Sequence, residues 1–259
     1  MKTRLRFLFI LLLILGVFFR FTHLDRKVYW IDETYTSLRI SGYTETETAQ
    51  QLSQRQVLSI EDLHTYQRIN SEKSVINTVN GLATEEPQLT PLYFILVRFW
   101  AQLFGSSIAA VRSFSVWISL LSFPCVYWLC RELFKSSLVG WVAMILIAAS
   151  PFHLVYAQEA RPYSLWIVMT LLASASLLRA MRVNTKISWS FYAATVALGL
   201  YSHLFFLFVV IAHGIYSITL KFSQDSQTLK AYLIASSSGL IAFVPWLWIV
   251  FKNLGQIYT

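Results

Sequence analysis

Asp32 and Glu33 stand side by side in VYWIDETYTSL, just after the first apolar run of the chain and beside an aromatic cluster. A carboxylate at a lipid–water boundary can accept a proton from a hydroxyl, or sit where a lipid-linked substrate presents its headgroup. Two readings stand for the pair: carboxylate chemistry, or two acids in the first turn of a surface helix, where negative charge is favoured. A second group lies in SPFHLVYAQEARPYSLW, where Tyr156, Gln158, Glu159 and Arg161 fall between Pro151 and Pro162. A Glu and an Arg at a membrane boundary are costly unless paired or solvated. Either they pair to tighten a turn, or Arg161 offers its planar fork to phosphate oxygens and Glu159 orients it. Arg112, in GSSIAAVRSFSVW, either snorkels to lipid headgroups or serves the same chemistry. His203, in LYSHLFF, is a hydrogen-bonded turn residue or a ligand. No His, Cys or acid spacing matches a zinc site, and two arginines could take the place of a cation at a monophosphate, so no obligatory metal is expected.

The elements that carry these residues are membrane helices. Of 259 residues 56% are hydrophobic and 13% charged, and the mean hydropathy is +0.55, too apolar for a water-soluble chain of this length. The net charge of +8 is dispersed between apolar runs, which marks topology and argues against nucleic-acid binding. Cys125 and Cys130 have no metal-ligand company and are expected as free, lipid-buried thiols. Pro151 is expected to kink the end of one span and Pro162 to open the next.

Seven runs are long enough to span: 5–21, 108–130, 138–156, 163–179, 188–202, 204–220 and 231–251. The first has no small-residue cleavage site after it and reads as an uncleaved helix. An eighth run, 91–104, is short of the ~20 residues a span needs. It contains Arg98 and Gln102, and is predicted to lie at the interface as an amphipathic helix with its aromatic side toward lipid. With 91–104 outside the bilayer, Lys2, Arg4, Arg6, Arg131, Lys135, Arg179, Arg182, Lys186, Lys221 and Lys230 share the cytoplasmic face, as the positive-inside rule requires. The acids, QEAR and YSHLF then face the other side. The outer loop 22–107 is too long to be structureless, and short helices are predicted over 33–41 and 72–82.

In this order, the Asp-Glu pair, EPQLTPLYFILVRFWAQLFGSS, the arginine of the second span, SPFHLVYAQEARPYSLW, LYSHLFFLFVVIAHGIY and VPWLWIVF resemble the GT-C membrane glycosyltransferases of the protein O-mannosyltransferase-like group, glycosyltransferase family 39. The resemblance covers almost the whole chain. It implies an all-α integral membrane module of about seven transmembrane helices at the cell membrane. The expected donor is a sugar on a polyprenyl phosphate, and the expected acceptor a lipid, glycan or protein hydroxyl, with inversion at the anomeric carbon and no cofactor. By the same resemblance Asp32 is the general base, supported by Glu33. Arg112 and Arg161 face the donor phosphate, and Glu159, Gln158, Tyr156 and His203 support the cavity. The family's consecutive prolines are interrupted here as Pro87, Gln88, Leu89, Thr90, Pro91. Its members also carry further spans and often an outer C-terminal domain, expected after the point where this chain stops, Thr259. Two rival readings are a transporter and a truncated, non-catalytic lipid-binding relative. Transporters place ionisable groups near the bilayer midplane, whereas here they sit at span ends.

Overall fold

A computed structural model describes residues 3–54, 57–221 and 226–253; Lys2 and Thr259 lie outside them. The described elements are all helices: α1 (Thr3–Phe21), α2 (Ile31–Ser41), α3 (Glu45–Ser53), α4 (Ile60–Thr65), α5 (Val75–Glu85), α6 (Pro91–Phe104), α7 (Ile108–Leu120), α8 (Ser122–Phe134), α9 (Ser137–Ala149), α10 (Pro151–Ala157), α11 (Tyr163–Val183), α12 (Lys186–Ser202), α13 (Phe206–Lys221) and α14 (Ser226–Lys252). The protein is an all-α integral membrane protein. By length and composition α11, α14 and the continuous pair α7–α8 can cross a bilayer, and α9 with α10 forms a fourth candidate bent by 63°.

Local sequence explains the breaks. Ser107, Ser136 and Ser150 each accept a hydrogen bond from a backbone N–H of the helix that follows, capping α7, α9 and α10. Pro151 opens α10 and has no N–H to give, so the last carbonyls of α9 are left for another donor. Arg20, fully buried at the end of α1, takes that role: its Nη2 donates to Ile147 O at 3.0 Å and its Nη1 to Ala148 O at 3.2 Å. At Gly199 a Cβ would lie 2.3 Å from the Phe206 ring, so the turn from α12 into α13 can close only over glycine. Cys125 and Cys130 are free and buried in α8.

The helices put different chemistry at the two ends of the bundle. At one end Arg182 makes a double hydrogen bond to Glu132, both contacts 2.8 Å, and Arg131 reaches Ser137 at 2.5 Å. At the other end lie the α1–α2 loop, α2 to α6, the start of α7, the α10–α11 turn and the end of α14. There Trp246 Nε1 donates to Pro87 O at 3.1 Å and Asn253 Nδ2 to Ala83 O at 2.9 Å.

The stretch before α7 is built of short helices. α2 begins two residues before the predicted 33–41 segment, and α5 lies three residues beyond the predicted 72–82. α3 and α4 lie in stretches where the sequence shows no apolar periodicity. α6 packs into this layer more deeply than an interfacial helix lying flat would. Tyr93 and Phe94 point inward, and Phe99, Gln102, Leu103 and Phe104 are the exposed residues of α6. Arg98 is fully buried and donates to the carbonyls of Ile40 and Lys73, joining α6 to α2 and to the loop before α5.

Candidate active site

The α2 helix sets the two acids in opposite environments. It begins at Ile31, which puts Asp32 and Glu33 in the first turn, and successive residues of a helix point about 100° apart. Glu33 turns inward and is 0% exposed; the Asp32 side chain remains 36% exposed.

Glu33 is bound from three directions. Arg112 Nε donates to its Oε1 at 2.8 Å and Arg112 Nη2 to its Oε2 at 2.6 Å. The backbone N–H of Ala160 also donates to Oε1, at 2.8 Å. The remaining Arg112 donors go to main-chain carbonyls: Nη1 to Leu24 at 2.6 Å and Lys27 at 3.0 Å, and Nη2 to Val28 at 2.8 Å. A guanidinium has five N–H groups, and all five are engaged in a residue with no exposed surface. Its carbon also sits 5.2 Å from the centre of the Tyr29 ring. Burial pushes the Tyr29 phenol up to about 12, and the phenol shares a 2.5 Å hydrogen bond with Ser37. Arg112, which the resemblance puts at the donor phosphate, has no exposed surface here and no donor left over. It fastens the α1–α2 loop and α2 to α7, and through Glu33 to the α10–α11 turn.

Arg161 is placed differently. Its Nη1 donates to the Asp32 carbonyl at 3.1 Å and to Thr36 Oγ1 at 3.4 Å, while Nη2 stands 3.7 Å from the Asp32 carboxylate. Its buried Nε has no partner. Its own carbonyl accepts from Ser115 Oγ at 3.5 Å, and Ser115 is bonded at 2.8 Å to Tyr93 of α6. α2, α6 and α7 thus all fix the position of this arginine.

The ion pair of Glu159 with Arg161, one of the two readings of this turn, does not form among the described contacts. Glu159 Oε1 instead accepts from Lys27 Nζ at 2.9 Å, and its buried Oε2 has no partner. In the sequence Lys27 is one basic residue among many, with no motif to mark it. Gln158 donates to the carbonyls of Phe19 and Thr22 at 2.8 and 3.0 Å, tying the end of α1 to this turn. Tyr156 packs edge-on between Phe152 and Tyr163 at 4.6 and 4.7 Å. With Trp30 and Glu159 these three rings line an open groove of about 450 Å³. His203 stacks on Trp166 at 4.6 Å, and its Nδ1 accepts from the Phe205 N–H at 3.2 Å. Burial, and secondarily the Arg161 charge, lower the His203 pKa below the usual histidine value, so the ring is neutral at pH 7. Among the described residues no group of three His, Cys, Asp or Glu is placed to hold a metal ion.

Four of the expected residues form two adjoining pairs, Glu33 with Arg112 and Asp32 with Arg161, and Glu159 stands on the same turn paired with Lys27. Gln158 braces them from α1. His203 and Tyr156 flank the turn without touching the acids. What results is a solvent-reachable carboxylate beside a partly free arginine, with an adjacent carboxylate locked into the scaffold. Such a pair can take a proton and hold an anion within one small space.

No curated protein and no solved structure matches the chain. A protein-family model described as dolichyl-phosphate-mannose-protein mannosyltransferase matches residues 86–249, from the segment before α6 to the end of α14. Arg112, Glu159, Arg161 and His203 lie inside the match; Lys27, Asp32 and Glu33 precede it. The matched segment is well over half of the chain, which therefore belongs to the dolichyl-phosphate-mannose-protein mannosyltransferase family, membrane glycosyltransferases of the mannosyltransferase type.

Proposed function

We propose that the protein moves a sugar from a polyprenyl-phosphate donor to a hydroxyl acceptor at the non-cytoplasmic face of the membrane. One observation carries this reading. Of two neighbouring acids only Asp32 keeps an exposed carboxylate, and Arg161 holds its Nη2 3.7 Å from that carboxylate.

In this mechanism the acceptor oxygen attacks the anomeric carbon, and its proton passes to the Asp32 carboxylate as the new C–O bond forms. The bond between the anomeric carbon and the phosphate oxygen breaks, and its electron pair stays on the departing phosphate. Arg161 stabilises the charge that develops there, and it acts more strongly at a site partly shielded from water. Attack from the face opposite the leaving group inverts the anomeric carbon. Glu33 and Arg112 contribute by holding α2, α7 and the α10–α11 turn in register, so that Asp32 and Arg161 keep their separation.

The basic residues at the far end of the bundle support the orientation. Arg131, Lys135, Arg182 and Lys186 cluster away from Asp32, as cytoplasmic loops require.

Replacing Asp32 with Asn preserves shape and removes the base. Transfer from a polyprenyl-phosphate sugar is expected to fall by about 100-fold or more, with the unfolding temperature unchanged. A variant that transfers at the parent rate would remove Asp32 from the mechanism.

A further inference from the structure

With Arg112 fully engaged, Arg161 is left facing a leaving group that carries two negative charges. The donor linkage is a phosphodiester with one charge; cleavage at the anomeric carbon leaves a prenyl phosphate monoester with a second ionisable oxygen. Arg161 is itself partly neutralised by Asp32 at 3.7 Å. A second cation is needed, and the fold supplies one.

We infer that Lys27 is a donor-phosphate-binding residue, held in place by Glu159. The inference rests on the transfer reaction proposed above. Lys27 Nζ meets Glu159 Oε1 at 2.9 Å, which occupies one of its three N–H donors and leaves two free. Its side chain is 37% exposed, whereas that of Glu159 is 10% exposed, so the ammonium is the accessible partner and the carboxylate its anchor. The backbone below it is fixed, because Arg112 donates to the carbonyls of Leu24, Lys27 and Val28 on both sides of the lysine.

The loop pairing sets its position. Lys27 meets Glu159, Glu33 meets the N–H of Ala160, and Asp32 meets Arg161, so two short segments are joined at three successive residues of the α10–α11 turn. The Lys27 ammonium is therefore held at Glu159, two residues from Arg161 on the same turn; a phosphate at the mouth of this turn would draw donors from both, with Asp32 next to Arg161, where the acceptor hydroxyl must come. Glu159 acts through Lys27 and is a positioning residue.

The test measures binding of a short-chain prenyl monophosphate to the full chain in detergent, beside the matching prenyl alcohol as a chargeless control. Lys27→Met is expected to weaken prenyl phosphate binding by tenfold or more and to leave prenyl alcohol binding unchanged. Lys27→Arg should restore the phosphate affinity to within about threefold, since it keeps the charge. Lys27→Gln can still hydrogen-bond to Glu159 and should show the same loss as Lys27→Met, which separates lost charge from lost packing. Parent-like phosphate binding by both uncharged variants overturns the inference and leaves the proposed reaction standing. If the parent protein binds the phosphate no better than the alcohol, the proposed donor falls and this inference with it.

Discussion

At the scale of single residues, the two neighbouring acids should fail in opposite ways. Glu33 accepts three hydrogen bonds in a site with no exposed surface. Glu33→Ala strands the Arg112 charge in the interior. Breaking one side of such a pair costs about 3–5 kcal/mol, so this variant is expected to unfold well below the parent temperature in detergent, while Asp32→Asn keeps the parent value. Arg112→Lys should resemble Glu33→Ala, because an ammonium has three donors for five acceptor positions and lacks the planar fork. A Glu33→Ala protein as stable as the parent would show that the pair does not hold the fold. Residue type and order were enough to collect Asp32, Glu33, Arg112, Glu159 and Arg161. Which acid turns inward was not legible, because it depends on the helix starting at Ile31, and Trp30 before it provides no side-chain cap to mark that start. Lys27 is not legible in the sequence, because its role comes only from the partner the fold brings to it, 132 positions along the chain.

At the scale of elements, apolar periodicity made the long helices readable, whereas the polar layer over them is held by charge. α3 and α4 bury no residue, and their stability comes from caps at Thr44 and Ser59 and from ion pairs, features that hydropathy patterns miss. The centre of this layer is Arg39, fully buried, bonded to Glu85 at 2.5 Å and to Glu86 at 2.6 Å. Glu85 also accepts from the N–H groups of Glu45 and Thr46, which joins α3 to α5. Burial works against the Glu85 charge, but these hydrogen bonds and Arg39 outweigh it and hold its pKa below the ordinary value. The stabilisation is complete above the unfolded value of about 4.3 and is lost as pH falls through the folded value. Hydrogen exchange in residues 45–54 and 75–85 is therefore expected to be constant from pH 7 to about 5 and to accelerate below about pH 4, relative to α11. Glu85→Gln should show fast exchange already at neutral pH. Exchange that does not respond to either change would assign the cohesion of the layer to its apolar contacts.

At the scale of the whole molecule, the distribution of charge separates two faces, and the reaction depends on which face is outside. Lys135 is 65% exposed beside Glu132 at the end where α8 meets α9. Glu72 is exposed in the layer over the opposite end of the bundle. The basic end would face the cytoplasm, and a polyprenyl-phosphate sugar would reach Asp32 from the other leaflet. The two native thiols are buried, at 9% and 7% exposure, which gives a quiet background for thiol labelling. A membrane-impermeant maleimide added to intact cells is expected to modify Glu72→Cys and leave Lys135→Cys untouched until the membrane is opened. Labelling in the reverse order would put Asp32, Arg161 and Lys27 on the cytoplasmic side. The charge pattern would then contradict the positive-inside rule, and a donor presented at the non-cytoplasmic leaflet could not reach the carboxylate that is to accept the proton.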